Sequence, residues 1–134
     1  MEGGSVATIE ELALNTRRAA ARLSVLGDEE RKRALEAVAQ ELERSADEIV
    51  AANEADRAAA QAAGISPALL ARLKLDEAKL RAEIAGLRSV ASLPDPLGRV
   101  DIHRELDEGL VLTRVSCPVG VIAVIFEARP DAVI

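Results

Sequence analysis

Few residues in this chain have types and spacing suited to chemistry, and most of them gather at one place. Near the end, Glu127, Arg129 and Asp131 alternate through Phe126-Glu127-Ala128-Arg129-Pro130-Asp131. An arginine there can hold a phosphate oxygen in its planar donor fork. It can equally pair with a carboxylate and fix the turn before Pro130, the role that suits Glu127 better. The chain has one thiol, Cys117, and one imidazole, His103. A nucleophilic thiolate needs a positive field or a base beside it. Cys117 has neither in sequence and enters an apolar run, so it reads as a small hydrophobe. His103 lies near Asp101 and Arg104 and reads as a solvated surface group. One Cys and one His cannot assemble a Cys/His zinc site, and a lone Cys forms no internal disulfide. Gly120 stands alone: no G-x-G-x-x-G or phosphate loop is present. A glycine at the start of a strand more simply lets backbones approach closely.

The elements that must position these groups are legible from periodicity. Residues 1–7 read as a frayed tail. Thr8-Ile9-Glu10-Glu11 has the capping-box form, and Ile9, Leu12, Ala19, Leu23 and Leu26 follow along one helical face. Gly27-Asp28 should end that helix and cap the next. A second, amphipathic helix carries Leu35, Val38, Ala39, Leu42, Ala46, Ile49 and Val50 on one stripe. Its opposite face of Arg33, Glu36, Gln40, Glu43, Arg44 and Glu48 reads as solvated surface. Ser45 marks a kink or break, and Gly64 suits the position just past a helix end. Ser66-Pro67 starts a short helix, and Leu75-Asp76 starts another with Leu80, Ile84, Leu87 and Ala91 on its stripe. Helices thus occupy about 8–92.

Two prolines and a glycine in Leu93-Pro94-Asp95-Pro96-Leu97-Gly98 end the helical region. Alternating residues then predict a half-exposed hairpin over about 99–116, turning at Asp107-Glu108-Gly109. The run from Val119 to Phe126 is nearly all apolar, as in a strand buried on both faces of a parallel sheet. Glu127 to Pro130 would lie at its carboxyl end, where open α/β sheets bind ligands. Such a strand needs neighbours reached by crossover connections, and an unpaired one invites aggregation. The expectation is an N-terminal piece of a larger α/β protein.

Composition agrees. The chain has 134 residues, 49% hydrophobic, 30% charged and only 1% aromatic, with Phe126 its single ring. A complete α/β enzyme would ordinarily carry several aromatics to fill its core and line its pocket. A net charge of −6 offers no basic footprint for nucleic acid. No apolar run approaches the roughly 18 residues of a membrane span, and MEGGSVATIEEL lacks the plan of a signal peptide. The simplest expectation is a cytoplasmic protein with no membrane partner.

The segment RVSCPVGVIAVIFEARPD, residues 114–131, closely resembles the R-x-P-L/V-G-V-I-x-V-I-Y/F-E-[AS]-R-P segment of the gamma-glutamyl phosphate reductase family, within the aldehyde dehydrogenase superfamily. Ala52-Asn53, Asp56, Ala63-Gly64-Ile65-Ser66, Leu69 to Leu73 and the Leu93–Gly98 loop also match the family's N-terminal layout. The resemblance runs from about Leu12 to Ile134. Asp131 stands where many relatives have Asn. The family implies an aldehyde-dehydrogenase-like α/β fold: N-terminal helices, a β-hairpin, then the first strand of a parallel cofactor-binding sheet, about 119–126. It also implies NADPH-dependent reduction of gamma-glutamyl phosphate to glutamate-5-semialdehyde and phosphate, on the route to proline. A Cys thiolate attacks the acyl carbon, phosphate leaves, and hydride reduces the thioester. That Cys belongs to a catalytic domain downstream of the matched region, so this chain holds no catalytic residue. Phe126, Glu127, Arg129 and Pro130 fall where the superfamily's backbone runs beside NADP and substrate. Glutamate 5-kinase is the implied pathway partner, and a homo-oligomer the implied state of the full-length enzyme. The rival reading is a non-catalytic helical module that pairs its hairpin and last strand with a partner. A reductase half fused behind a kinase domain fits less well, because the chain opens at Met1 on a ragged tail.

Overall fold

The computed structural model describes residues 7–134, so the tail expected over 1–7 lies, but for Ala7, outside the described residues. Five helices precede a hairpin and a terminal 3₁₀ turn: α1 (Ile9–Leu23), α2 (Asp28–Arg44), α3 (Ala46–Ala62), α4 (Pro67–Arg72), α5 (Glu77–Ala91), β1 (Val100–Asp107), β2 (Leu110–Val115) and the turn Pro130–Val133. They fall into two compact units, one of residues 1–28 with 94–123, the other of 29–93 with 124–134.

The second unit holds the core. The α2 and α3 stripe supplies Ala39, Leu42, Ala46, Ile49 and Val50, which meet Leu80 and Ile84 of α5 and Leu75 just before it. Leu80 is fully shielded from solvent, and burying such a side chain contributes about 1.5–3 kcal/mol. The break expected at Ser45 is present: its φ of −95° and ψ of 8° leave helical geometry, with no side-chain cap. Gly64 adopts φ +75°. Its N–H and that of Ile65 return to the carbonyls of Gln61 and Ala60, satisfying the end of α3. Pro67 opens α4 behind Ser66. Asp76 caps α5 by accepting the Lys79 N–H at 2.9 Å.

Two polar fastenings join these helices. Asn53 of α3 is 9% exposed. Its Nδ2 donates to the Leu73 carbonyl and its Oδ1 accepts the Leu75 N–H, both at 2.8 Å. Arg88 of α5 spans two carboxylates of α2, donating from Nε to Glu36 at 3.1 Å and from Nη1 to Glu43 at 2.6 Å. The polar face of α2, expected to be merely solvated, therefore carries an interhelix clamp.

In the first unit the Thr8 capping box is formed: Glu11 N–H donates to the Thr8 hydroxyl at 3.2 Å, and Thr8 N–H donates to the Glu11 carboxylate at 2.9 Å. The α1 stripe begun by Ile9, Leu12 and Leu23 is nevertheless exposed, and the helix buries no residue. It stops at Leu23, before the Gly27 expected to end it.

The hairpin is antiparallel, pairing Val100 with Val115 and His103 with Thr113, with an irregularity between Glu105 and Asp107. Gly109 takes φ +74° in its turn. At the base, Gly98 N–H donates to the Ser116 carbonyl and Ser116 N–H to that of Arg99, both at 3.0 Å. A half-exposed ribbon was expected, yet every residue of both strands is exposed. Two strands alone bury neither face unless another layer covers them.

The apolar run departs further from expectation. Val119 to Phe126 joins no ladder, and the only sheet among the described residues is β1–β2. Instead of being buried on both faces, Val119 is 86% exposed and Ile125 99%. A strand exists through its neighbours' hydrogen bonds, and β1 and β2 pair only with each other.

Candidate functional site

The chemistry-bearing residues at the end of the chain sit on a turn whose backbone is unusual. Ala128 has φ +53° and is the one non-glycine residue at positive φ among the described residues. Its Cβ crowds the following carbonyl in that left-handed region, a cost of roughly 1–2 kcal/mol. Such strain persists only where surrounding structure holds it, and it concentrates at ligand-contacting turns. Arg129 follows at φ −134°, ψ 80°, and Pro130 then begins the 3₁₀ turn.

That 3₁₀ turn is fastened to the second unit. Asp131 Oδ2 lies 3.3 Å from Lys79 Nζ at the start of α5. Ile134 packs on the Ala39, Leu75, Leu80 and Ile84 core. Pro130, Val133 and Ile134 share a cavity of about 370 Å³ with Leu42, Ile49, Asn53 and Leu75. Burial pushes the Asp131 carboxyl up, but the Lys79 hydrogen bond, its own backbone N–H and nearby positive charge outweigh this and hold it below the usual range.

The sequence-derived site residues part company here. Pro130 lines the cavity. Phe126 (44% exposed), Glu127 and Arg129 face solvent. The alternative in which Arg129 pairs with Glu127 to fix the turn does not appear among the described ion pairs; the ion pair recorded here is Lys79 with Asp131. Sequence reasoning passed over Lys79 because a lysine in the first turn of a helix looks like ordinary surface.

The remaining candidates resolve more simply. Cys117, read as a small hydrophobe, is a free, exposed thiol just past the hairpin. His103 Nδ1 lies 3.2 Å from the Thr113 hydroxyl across the exposed ribbon. Gly120 is needed for its conformation, φ +96°, and not for close approach: a Cβ there would meet open space. Beside it, Pro118, Gly120 and Val121 line a cavity of about 650 Å³ with Ala13, Arg17, Ala20, Ala21 and Ser24 of α1. The only signal for that cavity in the sequence is an alanine-rich face carrying one arginine. No group of three or more His, Cys, Asp or Glu among the described residues could hold a metal ion. Among those residues, no helix is long and apolar enough to cross a membrane.

The turn's residues suit contact with one end of an anionic, aromatic cofactor. Arg129 offers an exposed guanidinium to oxyanions, and Phe126 offers part of a ring face.

No protein-family model matches the chain. It is 59% identical over 126 residues to the gamma-glutamyl phosphate reductase of Synechococcus elongatus, which covers 94% of this chain and 29% of that protein. To the enzyme of the same name from Trichodesmium erythraeum it is 56% identical, over 92% of the chain and 29% of the relative. Among solved structures, the gamma-glutamyl phosphate reductase of Saccharomyces cerevisiae superposes with a TM-score of 0.85 at 38% identity, covering 96% of this chain and 33% of that one. That of Thermotoga maritima gives 0.73 at 29% identity, covering 81% and 26%. The chain thus spans less than a third of the length of the curated relatives it matches, and it corresponds to their N-terminal part.

Proposed function

We infer that this chain is the N-terminal portion of a gamma-glutamyl phosphate reductase. The observation that carries the reading is 59% identity sustained over 94% of the chain. The Glu127-Ala128-Arg129-Pro130 turn after the apolar run adds to it. The activity we assign to the whole protein is reduction of gamma-glutamyl phosphate to glutamate-5-semialdehyde with release of phosphate, in proline biosynthesis. NADPH, when bound, supplies the hydride.

Within this portion the residues bind and position. Phe126 and Arg129 meet one end of the cofactor, Glu127 and Pro130 shape the backbone between them, and Val119 to Phe126, which joins no ladder in these residues, supplies the first strand of the cofactor-binding sheet in the whole protein. The exposure of that run, and of both hairpin faces, suits surfaces that other strands and layers cover. We assign Cys117 no role as nucleophile: the one imidazole that could activate it, His103, lies 3.2 Å from the Thr113 hydroxyl. We further assign the whole protein to the cytoplasm, as a homo-oligomer that takes its substrate from glutamate 5-kinase.

The test is NADPH oxidation with the acyl phosphate, or the reverse reaction from the semialdehyde, phosphate and NADP, using the natural gene product. Turnover specific to the glutamyl substrate is expected, and its absence would sink the assignment.

A further inference from the structure

The strained turn and the lysine on α5 belong together. Ala128 holds a left-handed backbone, φ +53°, that an alanine does not adopt unaided. Glu127 and Arg129 on either side of it are exposed and brace nothing in the described ion pairs. What does hold this stretch begins two residues on from Arg129. Asp131 meets Lys79 at 3.3 Å, with side chains 28% and 35% exposed. Its second oxygen, Oδ1, is shielded from solvent and accepts no hydrogen bond. Partly burying a carboxylate that is half unsatisfied is unfavourable unless charge nearby offsets it; Lys79 and Arg129 both supply such charge, and Lys79 is the one in ion-pair contact. Lys79 is itself well placed to act, because its N–H is bonded into the Asp76 cap and its ammonium also lies 3.4 Å from the Lys74 carbonyl.

We propose that the Lys79–Asp131 pair is a latch that sets the backbone of the Glu127–Pro130 turn, making Lys79 a positioning residue for the cofactor that meets this turn. The proposal rests on the functional reading above. Lys79 touches no ligand; it acts through Asp131 and the 3₁₀ turn, which hold Ala128 and so aim Arg129. Without the ammonium, the partly buried carboxylate moves toward solvent and Ala128 relaxes to negative φ.

The experiment uses the full-length natural gene product with Lys79→Met, and Lys79→Arg as the conservative variant. Amide hydrogen exchange should be at least threefold faster over 128–134 in Lys79→Met, and within twofold of wild type in Lys79→Arg. The KM for NADPH should rise about fivefold in Lys79→Met while kcat stays within twofold, and Lys79→Arg should restore it. Exchange and KM both within twofold of wild type would overturn the latch. Faster exchange with an unchanged KM would make the pair structural only, and a raised KM with unchanged exchange would place Lys79's effect elsewhere; either overturns the positioning role. Should Lys79→Met fail to fold, Asp131→Ala removes the acceptor, leaves α5 intact and must give the same pair of changes. If the wild-type protein shows no reductase activity, the functional reading fails, and with it the positioning role. The exchange comparison would then still decide whether the latch exists.

Discussion

Ala128 and Asn53 show how much a single side chain can decide here. At φ +53° an alanine is strained and a β-branched residue more so. Ala128→Val should therefore lower stability by about 1–2 kcal/mol, and Ala128→Gly should be neutral or raise it by up to about 1 kcal/mol. Urea unfolding of the two variants checks the sign. The reverse order would mean that Ala128 is not left-handed. Asn53 was visible in the sequence only as a polar residue on a helix and as a match to the family. Its partners, the Leu73 carbonyl and Leu75 N–H, lie twenty and twenty-two residues on, and no local pattern announces a bond over that distance. Truncation to Ala leaves the buried Leu75 N–H and the part-buried Leu73 carbonyl unpaired, so Asn53→Ala should cost about 2–3 kcal/mol. A loss near zero in the urea midpoint would show that the amide does not join α3 to the start of α5. The Lys79–Asp131 pair was hidden for the same reason.

At the scale of elements, the helices were readable because their ends are written locally. The Thr8 capping box, the break at Ser45, Gly64 and Pro67 each act within a few residues of themselves. The hairpin's existence was readable too, from alternation around Glu108-Gly109. Its burial was not, because alternation describes a preference for one covered face and cannot supply the cover. The run Val119–Phe126 fails to pair for a related reason: its composition suits a central strand, and its partners are not in β1 or β2. The clamp from α5 to α2 yields a pH prediction. Hydrogen bonds from Arg88 hold Glu36 and Glu43 below the usual carboxylate range. Their folded values lie under the unfolded value of about 4.3. The stability they contribute is therefore complete above that value and is lost as pH falls through the folded values. The difference in urea midpoint between wild type and Arg88→Met should be constant from about pH 6 to 8 and shrink from about pH 5 to 3. A difference that grows on acidification would contradict the clamp.

For the molecule as a whole, the sequence carried more of the identity than of the shape. The apolar run and its EARP turn pointed to one family, and relatives at 59% and 56% identity bear that name. The reason lies in what each signal measures. Motif residues keep their chemistry whether or not neighbouring strands are present, whereas a parallel sheet is a property of several strands together. The hairpin faces, the α1 stripe and Val119–Phe126 are exposed in these residues. The proposed function accordingly places the nucleophile and most of the cofactor's contacts outside residues 1–134. The most direct measurement compares the natural gene product with residues 1–134 in the reverse assay, following NADP reduction with glutamate-5-semialdehyde and phosphate. Turnover by the natural gene product and none by residues 1–134 is the predicted result. Turnover by residues 1–134, or none by the natural gene product, would contradict it.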